Sequence, residues 1–226
     1  MQLILDTGNL KEIQELYTTL VVDGVTTNPT IVCKEKKNFV DLVKEIGDII
    51  GDETPIHAQV LSTKFEDIME EAEFISGLRK NIYVKIPVTS DGLRAIKELK
   101  KKNIKITATA IFTAHQGFLA AKAGADYVAP YVNRLDNISA DGVGTVKDLI
   151  QIIDRYGLKT KVLAASFKNT QQVIELMKAG VHSVTVPYDI AKAMMNHPLT
   201  DWSVDKFIQD WESVYGVGTR TKDKLL

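Results

Sequence analysis

Seven short apolar runs in this chain close on residues that can bond, ionise or attack: Asp6, Thr26 with Asn28, Gln59, Lys85, Thr109, Tyr131 with Arg134, and Ser166 with Lys168. One charged residue in an aliphatic run has an ordinary explanation; seven polar positions at equivalent places do not. Lys85 carries the sharpest question. In NIYVKIPV (81–88) it follows Ile82, Tyr83 and Val84 and precedes Ile86 and Val88, so a buried strand holds an ammonium near its downstream end. Burial disfavours the charged form of lysine, and a neutral amine attacks carbonyls to give imines. The alternative is a structural lysine paired with a carboxylate such as Asp6; the imine reading leads. Lys105 and Lys161 differ, because they open their runs, where a long stem snorkels to water.

Arg134, Ser166 and Lys168 suggest an anion site, built from a bidentate fork, a hydroxyl and a point charge. Taken singly, Arg134 and Lys168 read as ordinary solvated residues. DGVGTV (141–146) lacks the third glycine of a dinucleotide turn and reads as a loop. The four histidines show no ligand spacing, so metal chemistry has little support, and His57 reads as a packed or hydrogen-bonded side chain. Cys33 has no partner that would make it a nucleophile and reads as a buried free thiol.

The elements that must position these residues follow from periodicity. Eight β-rich runs recur: LILDT (3–7), GVTTN (24–28), PIHAQVL (55–61), NIYVKIPV, KITATAIF (105–112), YVAPYV (127–132), TKVLAASF (160–167) and SVTVPY (183–188). Between them lie helical spacings, such as Leu10, Ile13, Leu16, Tyr17 and Leu20, or Phe39, Leu42, Val43, Ile46 and Ile50. Ser90, Asp91, Asn169 and Thr170 are candidate N-caps. Eight β–α units without a linker predict one (β/α)8 barrel domain over 1–226. An open doubly wound sheet would place a glycine-rich turn after the first strand, and LDTGNLKEI has one glycine. In a barrel the seven polar ends meet at one mouth. Beyond it, about 200–216 predicts an extra helix with Phe207, Trp211 and Tyr215 four apart, docked on its own barrel or on a neighbouring subunit. Residues 219–226 read as a flexible tail.

Composition narrows the class. The 226 residues are 45% hydrophobic and 25% charged, with 28 basic against 29 acidic side chains, which argues against nucleic acid or an anionic membrane as partner. The single cysteine, the lack of a signal peptide and the absence of a long apolar run give the expectation of a cytoplasmic protein.

GVTTNPT (24–30), YVKIPVT (83–89), YVAPYVNRLDN (127–137) and LAASFK (163–168) resemble the small transaldolase family, most closely its fructose-6-phosphate aldolase branch, in the same order and across essentially the whole chain. The resemblance implies a (β/α)8 barrel, an imine-forming lysine on the fourth strand, no metal or organic cofactor, and homo-oligomers, typically decamers built from pentameric rings, with the terminal helix on a neighbour. It gives Lys85 the imine and Asp6 the carboxylate that handles protons. It gives Thr26, Asn28 and Ala129 the ketose, and Arg134, Ser166 and Lys168 the phosphate. Transaldolases of the family carry glutamate in place of Gln59 and phenylalanine in place of Tyr131; Gln59, Thr109 and Tyr131 look like the aldolase arrangement that holds a catalytic water. Thr107 departs from the pattern nearby.

The resulting expectation is reversible cleavage of fructose 6-phosphate to dihydroxyacetone and glyceraldehyde 3-phosphate. The alternative is a transaldolase of the pentose phosphate pathway, moving a dihydroxyacetone unit from sedoheptulose 7-phosphate to glyceraldehyde 3-phosphate to give erythrose 4-phosphate and fructose 6-phosphate. More remote are a non-catalytic sugar-phosphate-binding barrel and a purely structural oligomer.

Overall fold

The computed structural model describes residues 1–223. Its order is β1 Gln2–Asp6, α1 Leu10–Thr19, β2 Gly24–Thr26, α2 Pro29–Glu35, α3 Phe39–Ile50, β3 Ile56–Gln59, α4 Phe65–Ser76, β4 Ile82–Pro87, α5 Ser90–Lys101 and β5 Ile106–Ile111. There follow α6 Ala114–Lys122, β6 Tyr127–Pro130, α7 Asn133–Asp136, α8 Gly142–Arg155, β7 Lys161–Ala164, α9 Thr170–Lys178, β8 Ser183–Val186, α10 Tyr188–Met195 and α11 Pro198–Tyr215. The eight strands are parallel and hydrogen-bonded in sequence order, β8 returning to β1, so the sheet closes. This is the (β/α)8 barrel that the alternation of runs predicts.

The helices form where apolar spacing and a cap coincide. In α3, Leu42, Val43, Ile46 and Ile50 are buried on one face and the Asn38 side chain accepts from the Val40 and Asp41 N–H groups. Each such buried aliphatic side chain contributes about 1.5–3 kcal/mol. Asn9, Asn28, Thr113 and Asn169 cap α1, α2, α6 and α9 in the same way. For α5 the cap is Thr89, which accepts from the Gly92 N–H, rather than Ser90 or Asp91. DGVGTV is no loop: Asp141 caps α8, which begins at Gly142. A Cβ on Gly142 would stand 2.2 Å from the Val132 carbonyl oxygen, so the glycine is there for close packing against the segment after β6. Cys33 is exposed on α2 rather than buried.

One irregularity sits at the mouth. Between Ala108 and Ile111 β5 gains a residue relative to β6, with Ala110 at φ 57°, a bulge that re-aims the end of the strand. Residues Met1–Ala191 form the barrel unit, and a second compact unit begins at Lys192. In the latter, His197 caps α11, which displays Trp202, Phe207 and Ile208 to solvent. Residues 216–223 form turns, with Trp211 Nε1 donating to Thr219 Oγ1 at 3.2 Å; the rest of the expected tail, 224–226, lies outside the described residues. No helix among the described residues is long and apolar enough to cross a membrane.

Candidate active site

The strand ends surround a cavity of about 380 Å³ whose wall includes Lys85, Asp6, Thr109, Tyr131, Thr26, Asn28, Ala129, Arg134, Ser166 and Lys168. Gln59, expected beside Thr109 and Tyr131, is not part of that wall; its Oε1 is buried and has no hydrogen-bond partner among the described residues.

Lys85 is 6% exposed and lies in register with Gln59 of β3 and Thr107 of β5. Its Nζ donates to the Thr27 carbonyl at 2.7 Å. No ion pair joins it to Asp6 among the described residues, so the structural alternative of a carboxylate-paired lysine does not describe the contact. Burial holds the amine below its ordinary pKa; Asp6 pulls it back up and Arg134 pushes it further down. Burial also raises the Asp6 carboxyl, against the opposing pull of Lys85, the Thr26 hydroxyl, Arg134 and Lys34. Both shifts favour uncharged forms. The lysine direction follows from an ammonium sealed in a barrel beside a guanidinium.

Asp6 ends β1 opposite Thr26 of β2, whose hydroxyl is 2.7 Å from Asp6 Oδ1 and 2.6 Å from Thr185 Oγ1 of β8. Thr185 is a further wall residue, which SVTVPY (183–188) offers near the end of its run as the other seven runs offer theirs. Asn28 accepts from the Ile31 N–H and so caps α2 as well as facing the cavity. Lys34, on α2, also reaches the wall. Its only signal in the sequence is its place on a helix that follows a polar strand end.

On the opposite side Thr109 Oγ1 and the Tyr131 hydroxyl are 3.2 Å apart, and the Arg134 guanidinium lies 4.4 Å from the Tyr131 ring centre. Ser166 follows β7 with φ 64°, an unusual backbone for a residue other than glycine, and its carbonyl accepts from the Asn133 N–H. Gln172 ties this arm together. Its Oε1 accepts from the Lys168 N–H, and its Nε2 donates to Asp136 Oδ2 at 2.6 Å and to Asn133 Oδ1 at 3.3 Å. The Gln172 side chain therefore joins the loops carrying Arg134 and Lys168, a role that its polar helical surroundings do not announce.

Below the lysine the interior is polar and aromatic. His57 is fully buried, with Nδ1 2.8 Å from Thr107 Oγ1 and its ring stacked on Tyr83 at 5.1 Å. Burial, with Lys85 adding, pushes its pKa down to about 3. It is the hydrogen-bonded histidine that its position suggests.

A buried amine, a carboxyl, a hydroxyl pair and a cationic arm in one barrel mouth fit imine chemistry on a phosphorylated carbonyl compound. A family model described as transaldolase/fructose-6-phosphate aldolase matches residues 3–218. The chain belongs to the transaldolase/fructose-6-phosphate aldolase family. Its relatives include a probable transaldolase of Pelotomaculum thermopropionicum, 44% identical over 214 residues that cover 95% of this chain and 99% of that one. One from Caldicellulosiruptor saccharolyticus is 44% identical over 215 residues, covering 95% and 98%, and one from Kosmotoga olearia is 41% identical over 219 residues, covering 97% and 99%. For a member of this family, the cavity's position at the carboxyl ends of the strands is where barrel chemistry is found.

Proposed function

We propose that the chain is a transaldolase, moving a dihydroxyacetone unit from a ketose phosphate such as sedoheptulose 7-phosphate to an aldose phosphate such as glyceraldehyde 3-phosphate. The observation that carries the chemistry is the Lys85 amine, buried at the mouth and held below its ordinary pKa by that burial. The relatives' names, each a probable transaldolase, support transfer as the outcome.

The residues at the mouth support each step of this reading. Arg134, Ser166 and Lys168 hold the phosphate, so binding energy far from the reacting carbons positions them. Lys85 adds to the C2 carbonyl, and loss of water with uptake of a proton gives the protonated imine, an electron sink for the C3–C4 bond. Asp6, hydrogen-bonded by Thr26, faces the same cavity and handles protons on the substrate hydroxyls. Cleavage releases an aldose phosphate and leaves the enamine on Lys85. Attack of that enamine on a second aldehyde, then hydrolysis of the new imine, completes transfer.

One observation favours a second reading, fructose-6-phosphate aldolase. The Tyr131 hydroxyl beside Thr109 adds a donor at the mouth, which promotes protonation and hydrolysis of the enamine before an acceptor arrives. Fructose 6-phosphate supplied with and without erythrose 4-phosphate separates the two. Turnover that depends on the acceptor is expected; free dihydroxyacetone at an equal rate without it replaces the transferase reading with the aldolase one. Borohydride reduction in the presence of fructose 6-phosphate should attach the three-carbon unit to the wild-type chain and not to Lys85→Met. Covalent attachment to Lys85→Met would remove Lys85 from the mechanism.

The proposal extends to assembly. Trp202, Phe207 and Ile208, exposed along α11, are the contact surface of a ring-based oligomer, and light scattering on the purified protein reads its mass.

A further inference from the structure

Thr27 has no part in the roles described so far. It lies one residue past β2, fully buried, and meets Lys85 through its backbone, as the acceptor 2.7 Å from Nζ. The rest of the residue is moored. Its N–H donates to the His57 carbonyl at 2.9 Å, and its hydroxyl donates to the same oxygen at 3.2 Å. His57 is itself immobilised by Thr107, Tyr83 and Tyr127. On the far side of the Thr27 carbonyl, Asn28 is fixed by its cap on α2. The peptide plane that faces the amine is thus pinned at both ends.

We propose that the Thr27 carbonyl is a catalytic group, and its hydroxyl a positioning one, for the imine on Lys85. The carbonyl positions Nζ for attack and then accepts the one N–H of the protonated imine. This rests on the Schiff-base reading above. When Nζ adds to the substrate carbonyl and one water leaves with uptake of one proton, the nitrogen keeps a single hydrogen and gains a full positive charge. A carbonyl oxygen fixed beside that nitrogen makes a charge-assisted hydrogen bond with it. On C3–C4 cleavage the electron pair moves into the imine, the charge disappears, and the neutral enamine N–H still needs an acceptor in this buried place.

The ionisable groups around Lys85 are Asp6 of β1, Lys34 of α2, His57 of β3, Tyr131 beyond β6, Arg134 of α7 and Lys168 beyond β7. None of these bonds Nζ directly among the described residues, whereas Thr27 does. Because an acceptor favours the ammonium over the amine, loosening it lets the already lowered Lys85 pKa fall further.

The test compares Thr27→Val, which keeps the volume and the backbone hydrogen bond, with Thr27→Ser, which keeps the hydroxyl. The probe is fructose 6-phosphate with borohydride, followed as a rate against pH. In Thr27→Val the trapping rate should fall by about ten-fold at saturating substrate, with the rising limb moved to lower pH; Thr27→Ser should recover both to within about two-fold. If the valine variant folds poorly, Thr27→Ala against Thr27→Ser gives the same comparison. A wild-type rate and limb in the valine or alanine variant, or a loss confined to thermal stability, overturns the proposal. So does a serine variant no better than alanine. Failure of the wild type to be trapped at all overturns the Schiff-base reading instead.

Discussion

The Tyr131 hydroxyl lies 3.2 Å from Thr109 Oγ1, so the sixth strand's extension and the fifth strand share a proton donor at the cavity wall. Tyr131→Phe removes that donor while keeping the ring against Phe112 and beneath Arg134. Release of dihydroxyacetone without an acceptor should fall by about ten-fold, the scale of a lost proton-transfer group, while transfer to erythrose 4-phosphate falls much less. The ratio of the two rates in one assay reads the difference. Equal losses would separate this hydroxyl from the fate of the enamine.

Thr26 donates to Asp6, and that hydrogen bond favours the carboxylate. Thr26→Val therefore raises the Asp6 pKa further above its ordinary value. If the carboxylate takes the substrate proton, the acid limb of kcat must move to higher pH in the variant. Paired pH–rate profiles of wild type and Thr26→Val measure it, and an unmoved limb removes Asp6 as the base.

His57 affects stability rather than rate. Its folded pKa of about 3 lies below the ordinary histidine value of 6.5, so the unfolded chain takes up a proton that the folded chain refuses. The stabilising preference is fully present above the unfolded value and is lost as pH falls towards the folded one, at up to about 1.4 kcal/mol per pH unit. Urea unfolding across that acidic window should show the slope in wild type, and His57→Phe, which retains an aromatic ring against Tyr83, should show less of it.

Gln172 joins the two loops of the cationic arm without belonging to the cavity wall. Gln172→Met keeps its bulk and removes its hydrogen bonds. KM for fructose 6-phosphate should rise several-fold, about 1 kcal/mol or more per lost buried contact, with KM for unphosphorylated fructose almost unchanged. A parallel rise in both would make the residue a general stabiliser of the barrel.

The fold was legible because strand and helix periods alternate without interruption, and Ile82–Pro87 or Tyr127–Pro130 stand where the runs place them. The wall was legible because barrel geometry sends strand ends to one mouth. What escaped depends on backbone atoms or on side chains acting at a distance. Thr27 works through a carbonyl, Gln172 from a helix, and the Ala110 bulge through one inserted residue, and none of these leaves a mark in residue type. Gln59 stands apart from the wall for a related reason: strand register puts it level with Lys85, while the cavity is lined by the ends of the other strands. Gly142 misled because a glycine pair reads as a loop, whereas here the missing side chain admits the Val132 carbonyl.

The Thr26 hydroxyl touches Asp6 on the first strand and Thr185 on the last, the latter 159 positions further along the chain than Thr26 itself. It therefore closes the seam at which the cylinder is sealed. A chain that has made its first seven strands holds the lysine, Asp6 and the Thr26 hydroxyl, but that hydroxyl lacks the Thr185 contact that holds it from across the seam. The chain of hydroxyls beside the carboxyl is therefore complete only once the last strand has closed the cylinder.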